Sequence, residues 1–143
     1  MSDLRSGRAS FPSFLAIPTR WHDNDLYGHV NNVIYYAFFD TVINEFLIRE
    51  GGLDIHEGSA IGVCAESSCR FLDSFEYPEV IDAGLRVGEL RTRSVSYEIG
   101  LFRAGRDEPA ATGSFAHVFV DRETRRPTAI PDGIRAALER IAG

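Results

Sequence analysis

Residues 33–50 are apolar around almost the whole turn of a helix. Val33, Ile34, Tyr35, Tyr36, Ala37, Phe38, Phe39, Val42, Ile43, Phe46, Leu47 and Ile48 occupy nearly every direction. Only Asp40, Thr41, Asn44 and Glu45 interrupt them, at the four-residue spacing that shares a face. The pattern predicts a helix about 27 Å long at 1.5 Å per residue, stopped by Gly51-Gly52. A helix apolar nearly all round has to be buried nearly all round. Something else in the chain has to wrap it.

Downstream, the hydrophobic period shortens to two, as in strands with one buried face. Over 61–72, Ile61, Val63, Ala65, Ser67, Cys69 and Phe71 share one face, with Cys64, Glu66, Ser68 and Arg70 on the other. Over 80–90, Ile81, Ala83, Leu85 and Val87 oppose Asp82 and Arg86. Over 94–103, Val95, Tyr97, Ile99 and Leu101 oppose Ser96 and Glu98. Residues 110–121 are apolar on both faces, which predicts an interior strand or one in a subunit interface. Gly105-Arg106-Asp107 reads as a hairpin turn. Upstream, 11–21 reads as a strand, with Pro18 marking an edge position or an irregularity. Pro131 opens a short last helix, with Asp132 in its first turn and Arg140 near its end. The order strand, helix, four strands, helix predicts an α+β fold in which one antiparallel sheet curls around one long helix. No repeat, low-complexity stretch or linker divides residues 1–143, so one domain is expected.

Composition narrows the function. The chain has 143 residues, 44% apolar and 25% charged, as in an ordinary globular protein with a real core. No stretch is long enough to span a membrane. Residues 1–10 are polar and lack the apolar region of a signal peptide, so a cytoplasmic location is expected. Cys64 and Cys69 are five apart, on opposite faces of one strand, which predicts two unpaired thiols. The net charge of −6 speaks against nucleic acid or an anionic membrane as partner. All 15 basic residues are arginine. This excludes Schiff-base chemistry on a lysine and leaves guanidinium forks suited to phosphate.

The chemistry concentrates in 20–32, Arg-Trp-His-Asp-Asn-Asp-Leu-Tyr-Gly-His-Val-Asn-Asn, which runs straight into the apolar helix. A carboxylate is ionised at neutral pH and needs no activating base. A helix start offers free N–H donors, and one such donor to an oxyanion contributes roughly 2.7–4 kcal/mol in the transition state. Asp25 is therefore the leading catalytic candidate, with the amides around 31–33 as oxyanion donors. The alternative is that Asp25 only satisfies loop amides. Asp23 reads as structural, capping or pairing with an arginine. His29 either orders the loop or meets the substrate. His22 and His117 read as structural. Gly28 supplies a φ that other residues resist. Asn31 and Asn32 are capping candidates. The spacing of His22, Asp23, Asp25 and His29 matches no closed zinc pattern, so neither metal nor cofactor is expected. Glu66 is a candidate second carboxylate, and Asp40 and Glu45 are rivals to Asp25. Arg91 and Arg93 are preferred phosphate contacts, with Arg125 and Arg126 as alternatives.

The core Asp25-x-x-Gly28-His29-Val30-Asn31-Asn32, with Tyr35 or Tyr36 beyond it and Arg20-Trp21 before it, resembles hotdog-fold acyl-CoA thioesterases of the 4-hydroxybenzoyl-CoA thioesterase type. Residues 87–94, 118–121, Arg126-Pro127 and Ile130-Pro131 carry the likeness through nearly the whole chain. The resemblance implies the hotdog fold and hydrolysis of an acyl-CoA thioester. It implies that Asp25 attacks the thioester or activates water, with His29 and Asn32 beside it in catalysis. Gly28, Asn31, Glu66, Arg91 and Arg93 then contact the substrate. It further implies a homodimer or a homotetramer built as a dimer of dimers, with the site between subunits. Hotdog folds also support hydratases and dehydratases, but their His-Phe-Pro-Gly and Asp-x-Asn-Pro-x-His patterns are absent. A non-catalytic acyl-CoA or acyl-carrier binding module is the other alternative.

Overall fold

Three segments of alternating pattern fold where the period places them, and the long apolar segment lies across them as a helix. The computed structural model describes residues 7–143; the polar segment read above as lacking an export signal lies partly outside them. Its elements are β1 (Ser13–Pro18), α1 (Ile34–Arg49), β2 (Ala60–Phe71), β3 (Val80–Leu90), β4 (Ser94–Arg103), β5 (Ala111–Asp121) and α2 (Asp132–Arg140). The five strands are antiparallel in the order β1-β3-β4-β5-β2. This curled sheet with its long helix is the hotdog fold. No described helix is long and apolar enough to cross a membrane.

The faces expected for β3 and β4 are those observed. Ile81, Ala83, Leu85, Val87, Val95, Tyr97, Ile99 and Leu101 are all buried. They pack with Tyr35, Phe38, Phe39, Val42, Ile43, Phe46 and Leu47 of α1 in one core. β5 is an interior strand, as its two apolar faces predict. Gly113 in β5 makes room for the helix: a Cβ there would stand 2.3 Å from Phe39 Cζ. β1 is an edge strand and Pro18 is its last residue, where a missing N–H costs no ladder bond. It is shorter than the expected 11–21, because Trp21–Asp23 forms a 3-10 turn instead.

Three expectations need correction. First, α1 is not wrapped on all sides. Tyr36 and Ile48 are 38% and 46% exposed, beside exposed Ala37, Asp40 and Thr41. A five-stranded sheet covers one side of the helix, and among the described residues nothing covers the other. Second, β2 does not keep one face throughout. A bulge between Cys64 and Glu66 shifts its register against β5, inserting one residue and flipping every side chain beyond it. Cys64 pairs with His117 and Cys69 with Gly113, so both thiols fall on the same face rather than opposite ones. Both are free, and burial pushes the Cys69 thiol up to about 11. Third, Arg86 is not on a solvated face. It is buried beneath the N-terminal segment, donating to Glu98 Oε1 at 2.5 Å and Ser10 Oγ at 2.7 Å. Its guanidinium carbon lies 4.3 Å from the Phe11 ring centre.

His117 is a structural histidine. It is buried, and its Nδ1 lies 3.0 Å from the Tyr97 hydroxyl. Burial pushes its pKa down to about 4. The unfolded chain therefore takes up a proton below about pH 6.5 that the native state refuses until about pH 4. Stability is complete above that window and falls as pH drops through it, by roughly 3 kcal/mol from this group. Urea melts from pH 7 to 4 are expected to show this loss, and His117→Gln is expected to flatten the curve between pH 6.5 and 4.

Candidate active site

Residues 23–31 form a small hairpin, built by the sequence Asp25-Leu26-Tyr27-Gly28. The Gly28 N–H donates to Asp25 O at 3.1 Å, closing a four-residue turn. Asp suits the first position of such a turn and Gly the last. Gly28 has φ +86°, a left-handed value that glycine reaches without strain. Below the turn, the Asp25 N–H donates to His29 O at 2.9 Å, Asn24 and Val30 form a bridge, and the Asn31 N–H donates to Asp23 O at 2.9 Å. Asp25 and His29 thus face each other across the hairpin. Val30 anchors it: the side chain is buried, and its N–H donates to Phe75 O at 2.8 Å. Gly28→Ala has open space for its methyl, so only backbone strain remains. It is expected to cost about 1 kcal/mol in a urea melt.

Asp25 is half-buried. Its Oδ1 accepts the Tyr27 N–H at 2.8 Å, and among the described residues Oδ2 has no partner. One oxygen fixes the carboxylate while the other points free. Asp23, two residues earlier, is committed to structure. Its side chain is fully buried, accepting the Arg20 N–H at 2.7 Å on Oδ2 and the Arg20 guanidinium at 2.9 and 3.1 Å on Oδ1. Burial alone would raise its pKa, but the hydrogen bonds and charge of Arg20 outweigh that and hold it below the usual carboxylate range.

The helix start is less open than a bare helix terminus. Asn31 Oδ1 accepts the Val33 N–H at 3.0 Å, and Asn31 O accepts the Ile34 N–H at 2.9 Å. The N–H groups of Tyr35 and Tyr36 donate to the carbonyls of Asn32 and Val33. Among the described residues, the Asn32 N–H is the one amide of 31–36 left without an acceptor. Asn31 closes the turn that leads into α1, whose N-cap position is Val33; Asn32, exposed, carries the open donor. Asn32 follows His29 by three residues, so its amide lies within about 10 Å of the Asp25 end of the hairpin.

The other candidates lie elsewhere. Glu66 pairs with Ala116, beside the Ser68–Ser114 hydroxyl pair at 2.9 Å. It occupies the face turned away from α1, and among the described residues no contact joins it to Asp25. Asp40 accepts from Asn44 Nδ2 at 2.9 Å and Glu45 from Arg49 at 2.7 Å. Arg91 and Arg93 sit in the β3–β4 turn, where Arg91 pairs with Glu89 at 2.9 Å. Arg135 of α2 donates to the carbonyls of Arg91 and Thr92, completing an arginine cluster that the sequence did not announce. Arg126 lies beside the end of β5, its carbonyl accepting the Asp121 N–H at 2.8 Å; Arg125 has φ +64°. Among the described residues no three His, Cys, Asp or Glu side chains gather as metal ligands.

Sequence reading also missed Asn24, which ties the hairpin to the chain around Tyr77, and the edge-on pairing of Trp21 with Tyr77 at 5.7 Å. Leu26 and Tyr27 stand in solvent at the hairpin tip. A cavity of about 470 Å³ opens among Gly7, Leu72, Asp73, Arg103 and Arg106. It includes no residue of the hairpin, whose Leu26, Tyr27, Gly28 and His29 are exposed.

Residues 19–138 match the sequence model of the thioesterase-like superfamily. No curated protein sequence matches the chain. Among solved structures, the PA5185 protein of Pseudomonas aeruginosa strain PAO1 is 50% identical, with 96% of each chain covered and a TM-score of 0.94. The PA2801 protein of Pseudomonas aeruginosa, provisionally assigned as a thioesterase, is 29% identical over 90% of this chain and 98% of its own, with a TM-score of 0.82. The BH1999 gentisyl-coenzyme A thioesterase is 21% identical over 88% of this chain and 99% of its own, with a TM-score of 0.78; at that identity the likeness is one of fold.

Proposed function

Since the chain belongs to the thioesterase-like superfamily, we propose that it hydrolyses an acyl-CoA thioester to the free acid and CoA. The reading rests on two groups in one short stretch of chain, a carboxylate with one free oxygen, Asp25, and an amide without an acceptor just before the helix, Asn32. The thioester carbonyl oxygen takes the Asn32 N–H. Asp25 Oδ2 then either attacks the carbonyl carbon, giving a mixed anhydride that water cleaves, or removes a proton from a water that attacks. In either case the negative charge that develops on the carbonyl oxygen meets the amide at the positive end of α1. The C–S bond breaks and sulfur leaves as thiolate, needing little acid help because thiols have pKa near 8.5. His29, opposite Asp25, borders the reacting carbonyl or holds the water. Gly28 and Asn31 keep the backbone close to the substrate.

Arg91 and Arg93, joined by Arg135, are the proposed contacts for the phosphates of CoA. A second copy completes the site. β2 is a twelve-residue edge strand with exposed side chains, and an edge of that length calls for a partner. The open face of α1, with Tyr36 and Ile48, supports the same conclusion. A homodimer, or a dimer of dimers, is proposed, and it is the arrangement in which Glu66 of one copy can approach the loop of another.

The test is a thiol-release screen of the purified protein against short, long, branched and aromatic acyl-CoAs. Release of CoA from at least one class well above the buffer rate is expected. Absence of release from every class, with water added to an enoyl-CoA instead, would make the protein a hydratase.

A further inference from the structure

Asn24 lies beside Asp25 and has no role in the chemistry above, yet its side chain spans the hairpin. Its Oδ1 accepts the Tyr77 N–H at 3.1 Å, and its Nδ2 donates to Gly28 O at 3.3 Å. The first bond joins the hairpin to a segment 53 residues away in sequence. The second crosses the turn from the residue before Asp25 to the glycine that closes it. Asn24 also forms the backbone bridge with Val30. The Asp25 carboxylate therefore sits on a turn gripped at both ends by one amide, while Leu26 and Tyr27 at its tip stand in solvent.

We infer that Asn24 is a positioning residue for Asp25, clamping the Asp25–Gly28 turn to the Tyr77 segment so that the free carboxylate oxygen is held toward the Asn32 amide. The inference rests on the proposed thioester hydrolysis for its kinetic consequence, but not for its structural one. Both bonds of the amide are needed. A side chain that accepts but does not donate keeps the anchor to Tyr77 and releases the turn. One that does neither releases the turn at both bonds, while Val30 still holds the base of the hairpin.

The test uses Asn24→Ala and Asn24→Asp in the full chain, with two readouts. The first is kcat and KM on the acyl-CoA that the wild type cleaves fastest, with thermal melting alongside. Misplacing a reacting group by about 1 Å costs on the order of 100-fold. Asn24→Ala is expected to lose about 10- to 100-fold in kcat, with KM within about twofold and melting nearly unchanged. Asn24→Asp keeps the acceptor and loses the donor, and is expected to fall between. The second readout is backbone amide exchange. The Tyr27 and Gly28 amides, bonded to Asp25, are expected to exchange at least about tenfold faster in Asn24→Ala, while those of α1 hold. An unchanged kcat per folded protein overturns the inference, as does a rate loss matched by loss of folded protein. Unchanged exchange at Tyr27 and Gly28 overturns it as well. If the wild type releases no thiol from any acyl-CoA, the proposed function falls, and the exchange result still decides the role of Asn24.

Discussion

Asp25→Asn is expected to lower kcat for thioester hydrolysis by about 1,000-fold or more while leaving the fold in place. The substitution separates two duties of one side chain. Asp25 Oδ1 holds the turn by accepting the Tyr27 N–H at 2.8 Å, and an asparagine carbonyl accepts that bond equally well. What asparagine lacks is the anionic second oxygen. If Asp25 served only the turn, asparagine would be a near-neutral replacement and the rate would barely move. Alanine would blur this distinction, because it removes the turn bond together with the charge. The measurement is thiol release from the best acyl-CoA, with circular dichroism and a thermal melt to confirm that the variant is folded.

The largest effect on stability is expected at Phe39. It is fully buried, and its ring occupies the space above Gly113, where a Cβ would come within 2.3 Å of Phe39 Cζ. Phe39→Ala removes the ring and leaves a hole that glycine, having no side chain, does not help to fill. A loss of about 3–5 kcal/mol is expected in a urea melt, at the upper end of that range. The reciprocal change, Gly113→Ala, pushes a methyl into the ring and is expected to cost about 1–3 kcal/mol. Combining Gly113→Ala with Phe39→Leu is expected to cost less than the two single changes added, because each relieves the fault the other creates.

These two residues mark how far the sequence can be read. The core faces of β3 and β4 were legible from simple alternation, but their opposite faces, where Arg86 and Phe102 are buried as well, were not. The helix around Phe39 was legible as a helix. Its burial was overestimated, since composition says that a surface must be covered and not that the same chain covers it. The bulge in β2 left no mark: Ala65 is neither Gly nor Pro, and an inserted residue is visible only against its partner strand. It reversed the reading of Cys64 and Cys69. Arg86 looked solvated because the segment that buries it, around Ser10 and Phe11, is more than seventy residues away.

At the candidate site the same division holds. Asp25 and Gly28 at first and fourth positions encode a turn, and the run was rich enough in polar groups to be singled out. Which donor stays open was not encoded locally. Asn31 uses both its carbonyls, Asp23 O takes one amide, and Asn32 alone is left. Asn24 and Arg135 were missed for one reason: each acts on backbone far away in the chain, at Tyr77 and at Arg91 and Thr92.

The central claim is that the Asp25 hairpin and the Asn32 amide cleave a thioester rather than merely bind one. Single-turnover reaction, with the wild-type protein in excess over acyl-CoA and the products separated after quenching, tests this most directly. The account predicts one free CoA and one free acid for each acyl-CoA, formed far faster than in buffer. Recovery of intact acyl-CoA bound to the protein would contradict it and make the chain a binding module.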